Sequence, residues 1–232
     1  MSGRPSLSVL ERRIGYTFKD QSLLNLALTH KSHGRDNNER LEFLGDAVLG
    51  YVIGGLLYRT NQGWREDALS LGRAHLVRGS TLAEVATEIG LGDFVLLGSG
   101  ERRSGGSDRR SILADTLEAV IGAVHEDGGI SEACELVEKL FLTRAESVQP
   151  DQLKDPKTNL QELLQGQGRP LPDYEVVEVA GEAHARQYSV RCALNDEDIS
   201  GTAVASSRRE AEKLAAKVVI ELMQDNTGEA GE

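Results

Sequence analysis

The segment ERLEFLGDAVLGYVIGGLLYR, from Glu39 to Arg59, constrains this chain more than any other, because it is apolar almost all round. That is the pattern of a helix buried on every side, yet three carboxylates interrupt it. Glu39, Glu42 and Asp46 fall at i, i+3 and i+7, one face of a helix over about 10 Å. Like charges at that spacing repel one another, and burial raises their pKa values. Gly45 in the same helix costs a further ~1 kcal/mol relative to alanine. A sequence that carries these penalties together needs something to offset them. A second acidic pair, Asp115 and Glu118, stands at i, i+3 on another apolar helix, SILADTLEAVIGAV, between Leu113, Leu117 and Val120. When two such helices pack side by side, four carboxylates converge. Ligands of oxygen alone suit Mg2+ or Mn2+, and one or two such ions activate water and stabilise a phosphoryl transition state. An acidic pair on a helix is ordinarily a solvated face, and spacing by itself does not show that the two helices meet.

The chain divides near SVQPDQLKDP, a polar stretch with two prolines at residues 147–156. Residues 1–146 read as all-α, with helical patterns at Leu69–Val77, Ser80–Ile89, Ser111–His125 and Ser131–Ala145. Residues 147–153 read as a linker. Residues 154–224 read as a small α+β unit in the order α-β-β-β-α. Its helix Thr158–Leu164 ends at GQGRPLP, and its strands are Asp173–Val179, Arg186–Ala193 and Asp198–Ala205. Its last helix, about Ser207 to Met223, has Ala211, Leu214, Val218 and Leu222 on one face. The tail, residues 225–232, reads as disordered.

Hydrophobic residues make up 39% of the 232, enough for a core, and 37 acidic against 26 basic residues give a net charge of −11. This balance excludes a disordered tail protein and a globally basic nucleic-acid coat. No apolar run reaches the roughly 18 residues of a bilayer span, so no membrane partner is expected. MSGRPSLSVLERR lacks a signal-peptide core, which points to the cytoplasm. Cys134 and Cys192 form neither a disulfide framework nor a zinc site. His30, His33, His75, His125 and His184 are scattered, and no nucleophilic triad is evident. The glycine-rich GSGERRSGGS lacks the Lys-Ser/Thr of a P-loop. It reads as a surface loop whose Arg102 and Arg103, with the following Arg109 and Arg110, face solvent or a bound polyanion.

Two stretches together resemble a known family. NERLEFLGDAVL (Asn38–Leu49), preceded by ALTHKS (Ala27–Ser32) and followed by SILADTLEAVIGAV (Ser111–Val124), is similar to the motif set of the ribonuclease III family. The α-β-β-β-α unit resembles a double-stranded RNA-binding domain. The resemblance spans about residues 5–224. It implies an all-α endonuclease domain followed by an RNA-binding domain, and a Mg2+-dependent endoribonuclease, with Mn2+ as a possible substitute. It further implies a homodimer that cuts double-stranded RNA to 5′-phosphate and 3′-hydroxyl ends. Ribosomal RNA precursors and structured messenger or small RNAs are the substrates it implies. Glu42, Asp46, Asp115 and Glu118 fall on the family's metal ligands, with Asp46 and Glu118 foremost in catalysis. Glu39 and Glu66 fall on supporting acidic positions. Phe43, Leu44 and Val48 are candidates for the dimer contact, with a monomer core as the equal alternative. After Glu66 the run EDALSLGR departs from the family pattern, with Asp67 for Gly, Leu71 for Arg and Gly72 for an apolar residue.

Residues 151–232 carry 9 basic and 16 acidic residues, net −7, which by itself opposes RNA binding. Arrangement outweighs the sum when charges are screened beyond about 8 Å. Ser207, Arg208, Arg209 and Lys213 cluster at the start of the last helix, whose N–H groups also favour phosphate. Thr158, Gln161 and Gln165, along with Glu162, share a helical face suited to the shallow minor groove of duplex RNA. His184 lies in the loop GEAH, which resembles the module's minor-groove loop. GTAVASSRR keeps Gly201 but has Ala203 and Ala205 where the module usually alternates glycine. The alternatives are a non-catalytic double-stranded RNA-binding protein on the same fold and a metal-dependent hydrolase of small phosphorylated substrates.

Overall fold

The computed structural model describes residues 4–149, 153–182 and 185–228, the last four by backbone alone. The chain separates into two compact units, residues 1–150 and 151–232. The first unit is helical: α1 (Leu7–Ile14), α2 (Gln21–Ala27), α3 (Glu39–Thr60), α4 (Glu66–Val77), α5 (Gly79–Glu88), α6 (Ser99–Arg103), α7 (Arg110–Gly128) and α8 (Ile130–Ser147). The N-terminal α1 has no counterpart in the sequence reading. It is short, and it stops at Gly15, which adopts the left-handed conformation and donates its N–H to the Glu11 carbonyl.

The helices α3 and α7 form the centre of this unit. Of α7, Leu117, Ala119, Val120, Ile121, Ala123 and Val124 are fully buried. On α3, Leu49, Ile53 and Leu57 are fully buried, with Leu41, Val48, Val52 and Leu56 nearly so. The two backbones touch where each carries glycine. A Cβ on Gly45 would lie 1.8 Å from the Glu118 carbonyl oxygen, and one on Gly122 would lie 2.2 Å from that of Leu41. The helix-propensity penalty at Gly45 is thus offset by a close crossing that no other residue permits.

The sequence expectation of a helix buried all round is corrected on one side. Phe43, Tyr51 and Tyr58 of α3 are 80%, 70% and 72% exposed. Val48, expected with Phe43 in a dimer contact, belongs to the core, and Leu44 is half-buried. Val48 falls with Leu41, Gly45, Leu49 and Val52 on the stripe that packs inward, whereas Phe43 points away from it. Among the described residues α3 is also the one helix long and apolar enough to cross a membrane; here its inner face packs on α7, α8 and α4. Gly72, one of the departures in EDALSLGR, is buried against Trp64 and Leu57, whose side chains take up the volume.

The second unit has α9 (Pro156–Gly166), an antiparallel sheet β1 (Asp173–Ala180), β2 (Gln187–Ala193), β3 (Ser200–Ala205) in the order β1-β2-β3, and α10 (Arg208–Gly228). Asp155 caps α9, its side chain accepting from the Lys157 N–H, with Pro156 in the first turn. A bulge in β1 between Val176 and Glu178 leaves Val177 outside the pairing. The core joins Leu160 and Leu164 of α9, Cys192 of β2, and Ala215, Ala216, Val219 and Met223 of α10.

This corrects half of the expected face of the last helix: Ala211 and Val218 pack inward as expected, and Leu214 and Leu222 do not. Ala211, Ala215, Val219 and Met223 are buried, whereas Leu214 and Leu222 are partly exposed. Small alanines bring α10 close to the sheet, where a Cβ on Gly201 would meet the Val218 side chain at 2.7 Å. The α10 backbone also runs on to Gly228, past the expected end at Met223, since no Gly or Pro interrupts it earlier. The last four residues of the expected tail, 229–232, lie outside the described residues. Replacing Gly45 by alanine is expected to destabilise the chain by at least about 2 kcal/mol in urea unfolding, despite the better helix former, because the methyl group meets backbone that cannot yield.

Candidate metal centre and RNA-binding surface

The crossing of α3 and α7 sets the acidic residues face to face. Glu42, one turn before Gly45, meets Asp115 and Glu118, two turns and one turn before Gly122. One oxygen from each of these three half-buried carboxylates lies within 4.8 Å of the other two. Burial, followed by the charges of Asp46, Glu42 and Asp115, pushes Glu118 up to about 7. Burial also raises Glu42, with Asp115 as the next cause, and raises Asp115. Three carboxylates held this close and partly shielded from water call for a cation. Oxygen donors of this kind fit a hard divalent ion.

Asp46 lies on the same face of α3 and acts on Glu118 through its charge, but its side chain is exposed and stands outside the convergent three. Glu39 is exposed and pairs with Lys31 at 3.3 Å. Glu66 is exposed on α4, where its carboxylate accepts from the Ser70 hydroxyl, and it does not join the cluster. The sequence reading gives no role to His30 and Lys31, although both lie in ALTHKS. The Lys31 charge counters the rise of Glu42 and Asp115, and His30 acts likewise on Asp115. Their segment is pinned to residues 96–98: His30 N–H donates to the Leu96 carbonyl at 3.0 Å and Gly98 N–H to Ser32 Oγ at 3.0 Å. Two basic side chains within nine residues of an acid-rich helix start were the available signal.

The arginines of the glycine-rich stretch are tied locally. Arg109 pairs with Glu101 at 2.8 Å and Arg110 with Glu84 at 3.5 Å. Arg102 and Arg103 donate to the carbonyls of Leu97 and Ser99.

In the second unit Thr158, Gln161 and Gln165 are exposed on α9. Ser207 caps α10, its Oγ accepting from the Glu210 N–H at 3.2 Å. Arg208 and Arg209 follow in its first turn, both exposed. Arg208 pairs with Glu212 at 2.8 Å and Lys213 with Asp155 at 2.8 Å, while Arg209 has no ion pair among the described residues. His184 lies outside the described residues. The exposed polar face of α9 and the cationic start of α10 belong to one compact unit, as a reader of duplex shape requires.

A helical unit with converging carboxylates, joined to an α-β-β-β-α unit with a cationic helix start, defines the class of a metal-compatible nuclease with its own RNA reader. Residues 20–145 match the family described as Ribonuclease-III-like, and residues 156–223 match the double-stranded RNA binding motif. Ribonuclease 3 of Shewanella denitrificans is 50% identical over 220 residues, covering 94% of this chain and 97% of the relative. Ribonuclease 3 of Pseudomonas fluorescens is 51% identical over 218 residues, 93% and 94% of the two chains. The nuclease domain of ribonuclease III from Campylobacter jejuni is 42% identical with a TM-score of 0.59, covering 62% of this chain and 99% of that one. The chain belongs to the ribonuclease III family and is an endoribonuclease of double-stranded RNA.

The raised carboxylates carry a definite pH dependence. Unfolding returns Glu118 toward its ordinary 4.5, so between pH 4.5 and about 7 the folded state holds a proton that the unfolded chain releases. Without divalent ions, stability contributed at this site therefore falls as pH rises through that window. Thermal unfolding in EDTA is expected to show this decline, to lose much of it in Glu118→Gln, and to show a larger stabilisation by added Mg2+ at pH 8 than at pH 5.

Proposed function

We propose that the chain hydrolyses double-stranded RNA with Mg2+ as its working ion and Mn2+ as a substitute, leaving 5′-phosphate and 3′-hydroxyl ends. The observation that carries this reading is the convergence of Glu42, Asp115 and Glu118 from two helices. In this reading residues 1–146 cut, residues 154–224 capture RNA, and residues 147–153 link them. The protein acts in the cytoplasm on ribosomal RNA precursors and on structured messenger or small RNAs.

Glu42, Asp115 and Glu118 would hold the cation, and Asp46 would complete the set from the solvent side. A bound divalent ion supplies the positive charge that makes water a nucleophile at neutral pH and offsets charge on the phosphate. Glu118 shares its proton with solvent near neutrality and gives it up on binding. Lys31 keeps Glu42 and Asp115 available as carboxylates and holds Glu39 at the start of α3. Asp46 and Glu118 carry the largest catalytic burden. Glu39 and Glu66 support the site from its margins, Glu66 without contact to the cluster.

The second unit supplies the substrate preference. Thr158, Gln161 and Gln165 meet one minor groove, His184 another, and the start of α10 with Ser207, Arg208, Arg209 and Lys213 meets the phosphates between them. The exposed stripe of Phe43, Tyr51 and Tyr58 supports a homodimer, since aromatic side chains this open in water are the usual core of a protein interface. A cleft of about 900 Å3 beside it joins apolar Leu23, Leu26, Phe43 and Leu44 to charged Arg35 and Arg40, a mixed surface open to the partner.

Three measurements test the reading. Glu118→Gln is expected to lower Mg2+-dependent cleavage of a long RNA duplex by more than about 100-fold, since even groups behind a metal ligand cost up to that much. Gel-shift binding without metal should be unchanged. Binding without cutting by the unaltered chain, in Mg2+ and in Mn2+, would favour a non-catalytic RNA-binding protein. Phe43→Glu is expected to turn the dimer into monomer in sedimentation, with the helical spectrum retained.

A further inference from the structure

We propose that Glu212 is a positioning residue for RNA capture, holding the Arg208 guanidinium at the start of α10 while tying that helix to α9 through Lys157. This rests on the reading that Arg208 meets RNA phosphate. The two oxygens of Glu212 divide their work: Oε1 lies 2.8 Å from Arg208 Nε, and Oε2 lies 2.7 Å from Lys157 Nζ. The Lys157 ammonium also sits 4.3 Å from the centre of the Tyr174 ring, so a strand of the sheet shares the contact.

Exposure gives the arrangement its direction. The Glu212 side chain is only 12% exposed, whereas that of Arg208 is 62% exposed. The carboxylate is the inner partner and the guanidinium the outer one. Arg208 spends Nε on Glu212, and its two terminal amino groups make no hydrogen bond among the described residues. Those groups form the edge that grips a phosphate. A free arginine on a helix start samples many rotamers, and ordering it on binding costs affinity. Glu212 meets that cost before RNA arrives. The hydrogen bond from Lys157 keeps Glu212 below the usual carboxylate range, so it stays charged throughout the neutral range.

A plain charge argument has the opposite sign. Taking a carboxylate from an anion-binding face should tighten binding by relieving repulsion. Positioning demands that it weaken binding.

The test titrates the full chain onto an RNA duplex of about 25 base pairs, longer than the roughly 16 that one such module spans. EDTA prevents cleavage, and the salt concentration is varied. Glu212→Gln is expected to weaken binding about fivefold and to reduce the slope of log affinity against log salt by about one. Arg208→Ala should weaken it at least as much, and the double variant should be no weaker than Arg208→Ala alone. Arg208→Lys keeps the charge but lacks the Nε fork. It should match the loss in Glu212→Gln, and at its exposed position it decides the matter even where Glu212→Gln fails to fold. Equal or tighter binding by Glu212→Gln, multiplying losses in the double variant, or full affinity in Arg208→Lys overturns the proposal. Full affinity in Arg208→Ala removes Arg208 from the RNA surface and overturns both readings, which distinguishes that failure from the loss of positioning alone.

Discussion

The close crossing of α3 and α7 is the contact on which the first unit depends. Two helices that meet backbone to backbone, at Gly45 and Gly122, fix each other's rotation as well as their separation. Rotation matters most here. It determines that Glu42 on one helix faces Asp115 and Glu118 on the other. The apolar side chains above and below this point supply the energy that holds mutually repelling carboxylates together. Function and stability oppose each other at one place, and buried leucine, isoleucine and valine resolve the conflict in favour of the site.

Much of this was legible in the chain. The all-α reading of the first part and the α-β-β-β-α order of the second follow from periodicity. NERLEFLGDAVL places acids and glycine in one helix, and the penalties it carries signal a purpose. What periodicity could not supply was which side of a helix faces what. The stripe of Phe43, Tyr51 and Tyr58 is apolar and reads as core until a structure shows it open. On α10, Leu214 and Leu222 are larger than Ala215 and Ala216 and so dominate a hydrophobicity pattern, yet the alanines are the buried ones. Hydrophobic size misleads where close approach is needed. His30 and Lys31 were harder to read for a different reason: their one signal was a place shortly before an acid-rich helix start, and no periodicity links a loop to the carboxylates it faces.

The second unit shows how little a net charge says about binding. It carries seven more acids than bases, and several of its acids hold basic side chains in place. Asp155 takes Lys213, Glu212 takes Arg208 and Lys157, and Arg169 holds Asp196 and Glu197. These pairs organise helix starts and turns, while Arg209 stays open. Carboxylates in such positions shape a cationic surface instead of cancelling it.

The bulge in β1 has a consequence for the loop that follows. Val176 pairs with Val190 and Val179 with Tyr188, and these partners are two residues apart on β2. Val176 and Val179 therefore share a side of the sheet although they are three positions apart. The strand changes parity at Val177, as a sentence changes metre on one added syllable. Removing that single residue would leave Glu178 on Ser189 and Val179 on Tyr188, and would restore strict alternation along the strand. The bulge thus takes up one surplus residue in β1 while the partners on β2 run on without a break.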